Sequence, residues 1–269
     1  MFDLSNIKCF LLDMDGTIHI SYQVFDGAKA AIEQMKKQGR VIYITNKVIH
    51  STKYYIKKLN SMGIKSSKDD FYTATNATVD YLKTNYPNKN IWLFGTKSLH
   101  KEFAAAGICV INKPFNESIK KEANADLIVV GYNTEMRYFD LGRLCVMIRS
   151  GIPFIATQPD LNCPDINGYL PDVGSTLALI KASTNKEPLA ICGKPFAPMA
   201  EGIMRMVNLP PEQICVFGDR LSTDIKFAND YNMKSVLVLT GEATKKDHDI
   251  SNIKATYVFN SIKDFIKEK

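Results

Sequence analysis

Two aspartates, Asp13 and Asp15, stand two residues apart at the end of an apolar run and are followed by Gly16 and Thr17. Carboxylates this close repel each other unless a cation lies between them. Mg²⁺ prefers oxygen ligands and usually keeps several waters together with a substrate phosphate. The pair therefore predicts a divalent-cation site. The competing interpretation is an acidic turn that caps the next element.

Three further clusters carry polar groups that suit a phosphate. Thr45 and Asn46 offer a hydroxyl and an amide, which can donate hydrogen bonds to phosphate oxygens. Lys194 would neutralise carboxylate and phosphate charge, and Asp219 and Asp224 add two more acids. Taken alone, these clusters are more typical of a turn, a surface lysine and a helix cap than of a binding site. Together they provide the acidic, hydroxyl, amide and ammonium groups that a site for a phosphate and a divalent cation requires.

Apolar runs that precede these clusters are the elements that must position them. Short runs alternate with amphipathic segments, which is typical of β–α–β units. We predict strands directly before each of the four clusters, at 8–13, 40–45, 188–193 and 214–219. Parallel α/β sheets bind ligands beyond the carboxyl ends of their strands. The expected fold is therefore α/β, with a doubly wound Rossmann-like parallel sheet as its core.

A second group of elements begins near residue 88. Strands are predicted at 91–95, 126–131 and 153–157, each followed by a helix. The segment 158–173 is rich in Pro, Asp, Asn and Gly, which indicates a surface loop with a binding role. Trp92 is expected in a core, and His19 is expected to be a polar loop residue.

The four clusters, read in order as DMDGT, ITN, GKP and GDRLSTD, resemble the motifs of the haloacid dehalogenase-like (HAD) hydrolases. The second acid of the first motif, Asp15, is typical of the phosphatases of that superfamily and argues against the dehalogenases. The long separation between Asn46 and Lys194 is similar to that in the NagD-like, p-nitrophenylphosphatase subgroup. The resemblance implies a discontinuous catalytic core, 1–85 and 188–269, with an inserted C2-type α/β cap over 86–187.

The resemblance also implies roles for residues at the matching positions. Asp13 would be the nucleophile that forms an aspartyl-phosphate. Asp15 would protonate the leaving group and then activate the hydrolytic water. Thr45, Asn46 and Lys194 would bind the phosphoryl group. These roles agree with the general chemistry of phosphoryl transfer, which depends on in-line positioning and on neutralisation of the phosphate oxygens.

The resemblance implies Mg²⁺ as the cofactor. Its ligands would be Asp13, the main-chain carbonyl of Asp15 and Asp219, with Asp224 in support. The expected function is a Mg²⁺-dependent phosphomonoesterase that acts on a small phosphorylated metabolite: a nucleoside monophosphate, a sugar phosphate, glycerol phosphate or p-nitrophenyl phosphate. The alternatives are a phosphate-ligand binding protein without turnover, a phosphomutase, and a phosphorylatable module similar to a receiver domain.

Two positions depart from the subgroup's pattern. Gln158 stands where the subgroup commonly has asparagine, and Lys47 stands where it usually has an uncharged residue. Neither departure alters the expected reaction type. The sequence leaves open whether Lys47, Gln158 and the loop 158–173 set the specificity, and it does not identify the physiological substrate.

Composition excludes several classes of protein. Apolar residues make up 45% of the 269 residues and charged residues 23%, which is typical of a globular protein. The net charge of +6 is spread along the chain with no basic run longer than a pair, so no nucleic-acid partner is expected. No apolar run is long enough for a membrane span. The six cysteines form no C-x-x-C pair and indicate reduced thiols and a cytoplasmic location. The family resemblance is also compatible with a homodimer that forms through the cap.

Overall fold

The computed structural model describes residues 3–112, 124–165 and 168–266, and it divides into two compact units. The first unit contains Met1–Thr45, Thr52–Tyr72 and Lys194–Lys269. The second unit contains Asn46–Ser51 and Thr73–Gly193. The predicted division into domains stays a prediction: a catalytic core of 1–85 and 188–269, with an inserted cap of 86–187.

Strands and helices alternate along most of the described chain. The strands are β1 (Cys9–Leu12), β2 (His19–Ile20), β3 (Gln23–Val24), β4 (Arg40–Thr45), β5 (Phe71–Thr73), β6 (Ile91–Phe94), β7 (Leu127–Val130), β8 (Phe154–Ala156), β9 (Asn162–Asp165), β10 (Gly168–Pro171), β11 (Ile214–Gly218), β12 (Lys234–Val238) and β13 (Tyr257–Phe259). The helices are α1 (Ala28–Gln38), α2 (Thr52–Ser61), α3 (Ala74–Asn85), α4 (Lys97–Ala105), α5 (Tyr138–Arg149), α6 (Val173–Thr184), α7 (Ala197–Val207), α8 (Lys226–Asp230) and α9 (Lys245–Ile250). Each of these described helices is too short or too polar to cross a lipid bilayer.

A six-stranded sheet in the order β13-β12-β11-β1-β4-β5 forms the centre of the first unit. Strand β1 pairs in parallel with both β4 and β11, and β12 pairs in parallel with β11 and β13. All four residues of β1 and all five of β11 are buried. Strands covered on both faces are apolar throughout, which is why these runs lack alternation. The predicted parallel α/β core is confirmed.

Apolar side chains from the helices, the sheet and the connecting turns fill the core of the first unit. Helix α1 turns one face inward, with Ala28, Ile32 and Met35 buried at helical spacing. On the sheet, the ring of Phe10 lies edge-on to Phe265, with 5.4 Å between centroids. Such packing holds β1 rigidly, and so it fixes the backbone from which Asp13 emerges.

A three-stranded parallel sheet, β6-β7-β8, forms the centre of the second unit. Every residue of these strands is buried. Trp92 on β6 is 3% exposed, which confirms its predicted place in a core. Asp172 caps the N-terminus of helix α6, and its carboxylate accepts a hydrogen bond from the Val173 amide.

The segment 188–193 is not the core strand that its apolar sequence predicts. Ile191 instead forms a single parallel bridge with Ala156 of β8, in the second unit. The Ala156 amide donates to the Ala190 carbonyl, and the Cys192 amide donates to the Ala156 carbonyl, both over 2.9 Å. An apolar run has the same pattern beside either sheet, and only the long-range pairing decides between them.

Smaller differences lie in the loops and near the C-terminus. The predicted loop 158–173 contains an antiparallel hairpin of β9 and β10. The helix predicted at 223–232 starts as a π-helical turn, Leu221–Ile225, before the short α8. The predicted final helix is one 3₁₀ turn, Ile262–Phe265. Such irregular turns have no hydrophobic periodicity of their own, so a sequence pattern does not find them.

Candidate active site

Three of the predicted site residues lie at the carboxyl ends of neighbouring parallel strands. Thr45 is the last residue of β4, Asp13 follows β1 directly, and Asp219 follows β11 directly. Because β1 lies between β4 and β11 in the sheet, the three residues share one edge. The Asp13 amide donates to the Phe217 carbonyl over 2.9 Å, so the strand pairing continues to the site itself.

Lys194 connects two of the acids. Its Nζ donates to Asp13 Oδ1 over 2.7 Å and to Asp224 Oδ1 over 2.6 Å. The side chain is only 2% exposed. Burial alone would lower the pKa of Lys194, but the charges of Asp13 and Asp224 outweigh it and raise that pKa above the ordinary value. Lys194 is therefore a permanent positive charge beside the predicted nucleophile.

Asp13, Asp219 and Asp224 form a three-carboxylate cluster whose ligand oxygens lie within 4.8 Å of one another. Burial raises the pKa of Asp13 well above its usual range, against the opposing charge of Lys194. Burial, followed by the charge of Asp224, raises the pKa of Asp219 to about 7. One lysine cannot balance three buried acids, so the cluster has a deficit of positive charge. A hard divalent cation with oxygen ligands, such as Mg²⁺, fits this donor set.

Glycines allow two turns to approach Asp219 closely. A Cβ on Gly16 would lie 2.4 Å from Asp219 Oδ2, and a Cβ on Gly241 would lie 2.0 Å from the same oxygen. Gly16 also has a φ of +88°, in the left-handed region that favours glycine. The Glu242 amide donates to Asp219 Oδ2 over 2.8 Å. Backbone from two loops therefore orients this carboxylate.

Asp224 lies in the π-helical turn and is 1% exposed. The Arg220 amide donates to its Oδ2 over 3.1 Å, while Lys194 occupies its Oδ1. A Cβ on Gly218 would lie 2.2 Å from Asp224 Cβ. The turn thus packs Asp224 directly against the end of β11. π-Helical turns of this kind occur frequently at functional sites.

Asp15 is more open than the other acids and contacts two basic side chains. Its side chain is 32% exposed, and its Oδ1 lies 3.5 Å from His19 Nδ1 and 3.6 Å from Lys58 Nζ. His19 is 1% exposed, so its prediction as a polar loop residue is wrong. The Gly16 amide donates to the His19 carbonyl over 2.9 Å, and this turn folds His19 inward. Sequence reasoning missed Lys58, because no spacing links a residue of α2 to the first motif.

Asn46 belongs to the second unit, although its chain neighbour Thr45 belongs to the first. Asn46 is 5% exposed, and its Nδ2 donates to Asp160 Oδ1 over 3.0 Å. A Cβ on Gly193 would lie 2.6 Å from Asn46 Oδ1. The second motif is therefore divided between the units, and the role of Asn46 in phosphate binding stays a prediction.

The two residues that depart from the subgroup's pattern both have partners within the second unit. Gln158 is fully buried, and its Nε2 donates to Asp172 Oδ1 over 2.7 Å. Because Asp172 caps α6, Gln158 supports that helix. Burial raises the pKa of the Cys163 thiol, against hydrogen bonds from Lys47 and Tyr132. Both departures thus contribute to the internal packing of this unit.

Comparison with known proteins agrees with this geometry. Two family models match, "Haloacid dehalogenase-like hydrolase" over residues 10–109 and "HAD-hyrolase-like" over residues 191–265. The chain is similar to the 4-nitrophenylphosphatase of Thermotoga maritima, with 34% identity, a TM-score of 0.91 and 98% of each chain covered. It is 27% identical to the acid sugar phosphatase of Staphylococcus aureus over 266 residues, which cover 98% of this chain and 99% of the relative.

A third relative was solved with a metal ion. The glycerol phosphate phosphatase of Mycobacterium tuberculosis, in complex with magnesium, is 26% identical with a TM-score of 0.88. The match covers 98% of this chain and 78% of that one. The resemblance expected from the four motifs is thereby confirmed. The chain belongs to the haloacid dehalogenase-like hydrolases and is a phosphatase.

Proposed function

We propose that the protein is a Mg²⁺-dependent phosphomonoesterase that hydrolyses small organic phosphates through an aspartyl-phosphate on Asp13. One observation carries the proposal: Lys194 bridges Asp13 and Asp224 inside a buried three-acid cluster at the ends of parallel strands. This arrangement supports the proposal, because it brings carboxylate oxygens that could attack phosphorus or bind a cation next to a buried ammonium group. Those are the components that phosphoryl transfer requires.

In the first step, a carboxylate oxygen of Asp13 attacks phosphorus, and the bond from phosphorus to the ester oxygen breaks. A covalent intermediate divides one difficult displacement into two easier ones. Lys194, 2.7 Å from Asp13 Oδ1, offsets negative charge that gathers on the phosphoryl group. Thr45, at the end of β4, donates a hydrogen bond to a non-bridging oxygen, and Asn46 is the further donor that the family resemblance implies.

Asp15 transfers protons in both steps. It gives a proton to the leaving oxygen in the first step, so the alcohol departs neutral. In the second step it takes a proton from water, whose oxygen attacks the phosphorus of the aspartyl-phosphate and frees Asp13. A positioned general acid and base of this kind contributes about 10²–10⁴-fold to the rate. The partial exposure of Asp15 suits a group that must contact a leaving alcohol and water.

The acidic cluster would hold Mg²⁺ through Asp13 and Asp219, together with the main-chain carbonyl of Asp15, and Asp224 would support these ligands. When bound, Mg²⁺ neutralises phosphate charge and helps to orient the phosphoryl group. The donor chemistry fits, because burial raises the pKa of Asp13 and of Asp219, and a bound cation would stabilise the ionised form of both carboxylates. The magnesium complex of the M. tuberculosis relative supports the same choice.

The substrates we propose are small phosphorylated metabolites: sugar phosphates, glycerol phosphate, nucleoside monophosphates and, as a chromogenic probe, p-nitrophenyl phosphate. Relatives named as acid sugar phosphatase, 4-nitrophenylphosphatase and glycerol phosphate phosphatase support this class. We assign the cytoplasm as the working compartment, because none of the six cysteines, all of them described, forms a disulfide.

A phosphate-release assay over these esters, with and without Mg²⁺, tests the proposal. Wild type should release phosphate only with Mg²⁺. Asp13→Asn should lose at least about 10³-fold in kcat, as expected when a nucleophile is removed. The exposed acid Asp230 gives the matched control, Asp230→Asn, which should stay active.

Three results would contradict the proposal. Full activity in Asp13→Asn or in EDTA would exclude the mechanism. Transfer of phosphate to a second hydroxyl would indicate a phosphomutase. Tight phosphate-ester binding without turnover would indicate a binding protein.

A further inference from the structure

We propose that Lys58 on α2 is a positioning residue that holds the carboxylate of Asp15 in the orientation needed for proton transfer. The inference rests on the proposed function, because it concerns the acid–base group of that reaction. No motif of the sequence points to Lys58. It follows from the contacts that α2 makes with the loop after β1, both in the first unit.

Two basic groups meet at one oxygen of Asp15. Lys58 Nζ lies 3.6 Å from Oδ1, and His19 Nδ1 lies 3.5 Å from the same oxygen. Both distances exceed a normal hydrogen bond, so the ammonium group of Lys58 attracts the carboxylate mainly through its charge. His19 adds to this attraction only when its ring is protonated. Lys58 is 10% exposed and His19 is 1% exposed, so water screens these contacts only weakly. Charge directed at one oxygen restricts rotation of the carboxylate about its Cβ–Cγ bond.

Lys58 is itself held in place. Its Nζ lies 5.5 Å from the centroid of the Tyr22 ring, a cation–π distance. The hydroxyl of Tyr22 is 3.0 Å from that of Tyr54. Tyr54 and Lys58 are four residues apart on α2 and share one helix face. The Tyr22 ring therefore gives the ammonium group of Lys58 a second contact besides Asp15, and Tyr54 holds Tyr22 through its hydroxyl.

Asp15 is the most exposed of the four acids in the site. Asp13, Asp219 and Asp224 are fixed by Lys194 or by backbone amides, whereas Asp15 is 32% exposed. A partly exposed side chain samples several rotamers, and a displacement of about 1 Å can cost about 10²-fold in rate. Lys58 and His19 reduce that freedom before substrate arrives.

The departure of the leaving group provides a specific test. Glycerol phosphate releases an alkoxide that must be protonated, so its cleavage needs a correctly placed Asp15. p-Nitrophenyl phosphate releases a stabilised anion that hardly needs a proton. The parameter kcat/KM covers the steps up to that departure. A displaced Asp15 therefore lowers kcat/KM for the alkyl ester and spares the aryl ester.

The test compares Lys58→Met with Lys57→Met, which removes an exposed lysine from the same helix. Lys58→Met should lower kcat/KM for glycerol phosphate about 10–100-fold and change that for p-nitrophenyl phosphate less than about 3-fold. It should also show a burst of p-nitrophenol, because Asp15 activates water poorly in the second step. Lys58→Arg should restore most of the loss, and Lys57→Met should behave as wild type.

Three outcomes would overturn the inference while the proposed function stands. They are an equal loss with both esters, no loss with either, or an effect of Lys58→Met that persists fully in an Asp15→Asn background, where Lys58 has no acid to position. Lys58→Gln replaces Lys58→Met if the latter does not fold, as judged by thermal unfolding. A wild-type protein that hydrolyses neither ester would instead refute the proposed function.

Discussion

Lys194 shows how strongly one residue can depend on its neighbours. An ammonium group that is 2% exposed would be too costly to bury alone, and two carboxylates within 2.7 Å balance its charge. Asp13 and Asp224 need Lys194 for the same reason. The residue therefore serves the stability of the site and, under the proposed function, also its affinity for phosphate, so a single variant should affect both.

We expect Lys194→Met to lower both activity and stability. The substitution preserves most of the side-chain volume but leaves two buried carboxylates without their cation. Breaking a buried charge pair typically costs about 3–5 kcal/mol in the free energy of unfolding. Urea unfolding in EDTA measures this cost. Lys226→Met, which breaks an exposed pair with Asp230, is the control and should cost at most about 1 kcal/mol. Equal costs for the two variants would disprove the argument.

The raised pKa of Asp219, about 7, predicts an opposite pH dependence with and without metal. This pKa lies above the ordinary aspartate value of 3.8, so the folded protein holds the proton more tightly than the unfolded chain does. The group's contribution to stability is complete below that value and is lost as pH rises towards about 7. In EDTA, the thermal midpoint should therefore decrease as the pH rises from about 4 to about 7, and it should level off above that.

Mg²⁺ should reverse that trend, because it replaces the proton on the cluster. Its affinity should rise by up to about tenfold per pH unit below the pKa of Asp219. Calorimetric titration with Mg²⁺ at several pH values measures the slope. Asp219→Asn should remove most of the slope, whereas Asp230→Asn should keep it. Affinity that is independent of pH would contradict the argument.

At the scale of elements, the turns after the strands determine the shape of the site. Strand β1 brings Asp13 to the sheet edge, and the next turn must pass directly beside Asp219. Only a residue without a side chain fits there, since a Cβ on Gly16 would overlap the carboxylate. The Thr240 hydroxyl donates to the Gly16 carbonyl over 2.6 Å and fixes the same turn from the loop after β12. The two loops form one support for the cation ligands.

Gly16→Ala should therefore weaken Mg²⁺ binding as well as fold stability. Its φ of +88° costs about 1–2 kcal/mol for a residue with a Cβ, and the contact with Asp219 adds to this. Gly107→Ala is the matched control, because Gly107 has a φ of +78° with no heavy atom within 4 Å of its Cβ position. We expect an affinity loss of about 10-fold or more for Gly16→Ala alone. Equal Mg²⁺ affinity in the two variants would show that the close contact is unimportant.

At the scale of the whole molecule, two of the four crossings of the chain between its units lie beside predicted site residues. The crossings after Thr45 and before Lys194 each follow or precede a predicted phosphate-binding residue. The homodimer through the cap stays a prediction. Light scattering would support it with a mass twice the 30.2 kDa of one chain, and a mass of one chain would contradict it.

Much of the core and of the site follows from local sequence. Strands β1, β4 and β11 are continuous apolar runs, and polar clusters stand at their ends, so a parallel sheet with Asp13, Thr45 and Asp219 at one edge could be predicted. The short strands β2, β3 and β5 could not be predicted, because a segment of two or three residues is too short to show the alternation of a strand. Lys58 and His19 were missed because contact with Asp15 depends on how α2 and a hairpin fold back.

The sequence alone determines which residues have the chemistry for phosphoryl transfer, since side-chain type and strand-end position are local properties. Tertiary structure decides what those residues contact. It pairs 188–193 with β8 instead of the six-stranded sheet, places Asn46 in the second unit and sets Lys58 beside Asp15. Hydrogen bonds and charge contacts between distant segments leave no periodic trace in either segment, so only the folded chain reveals them.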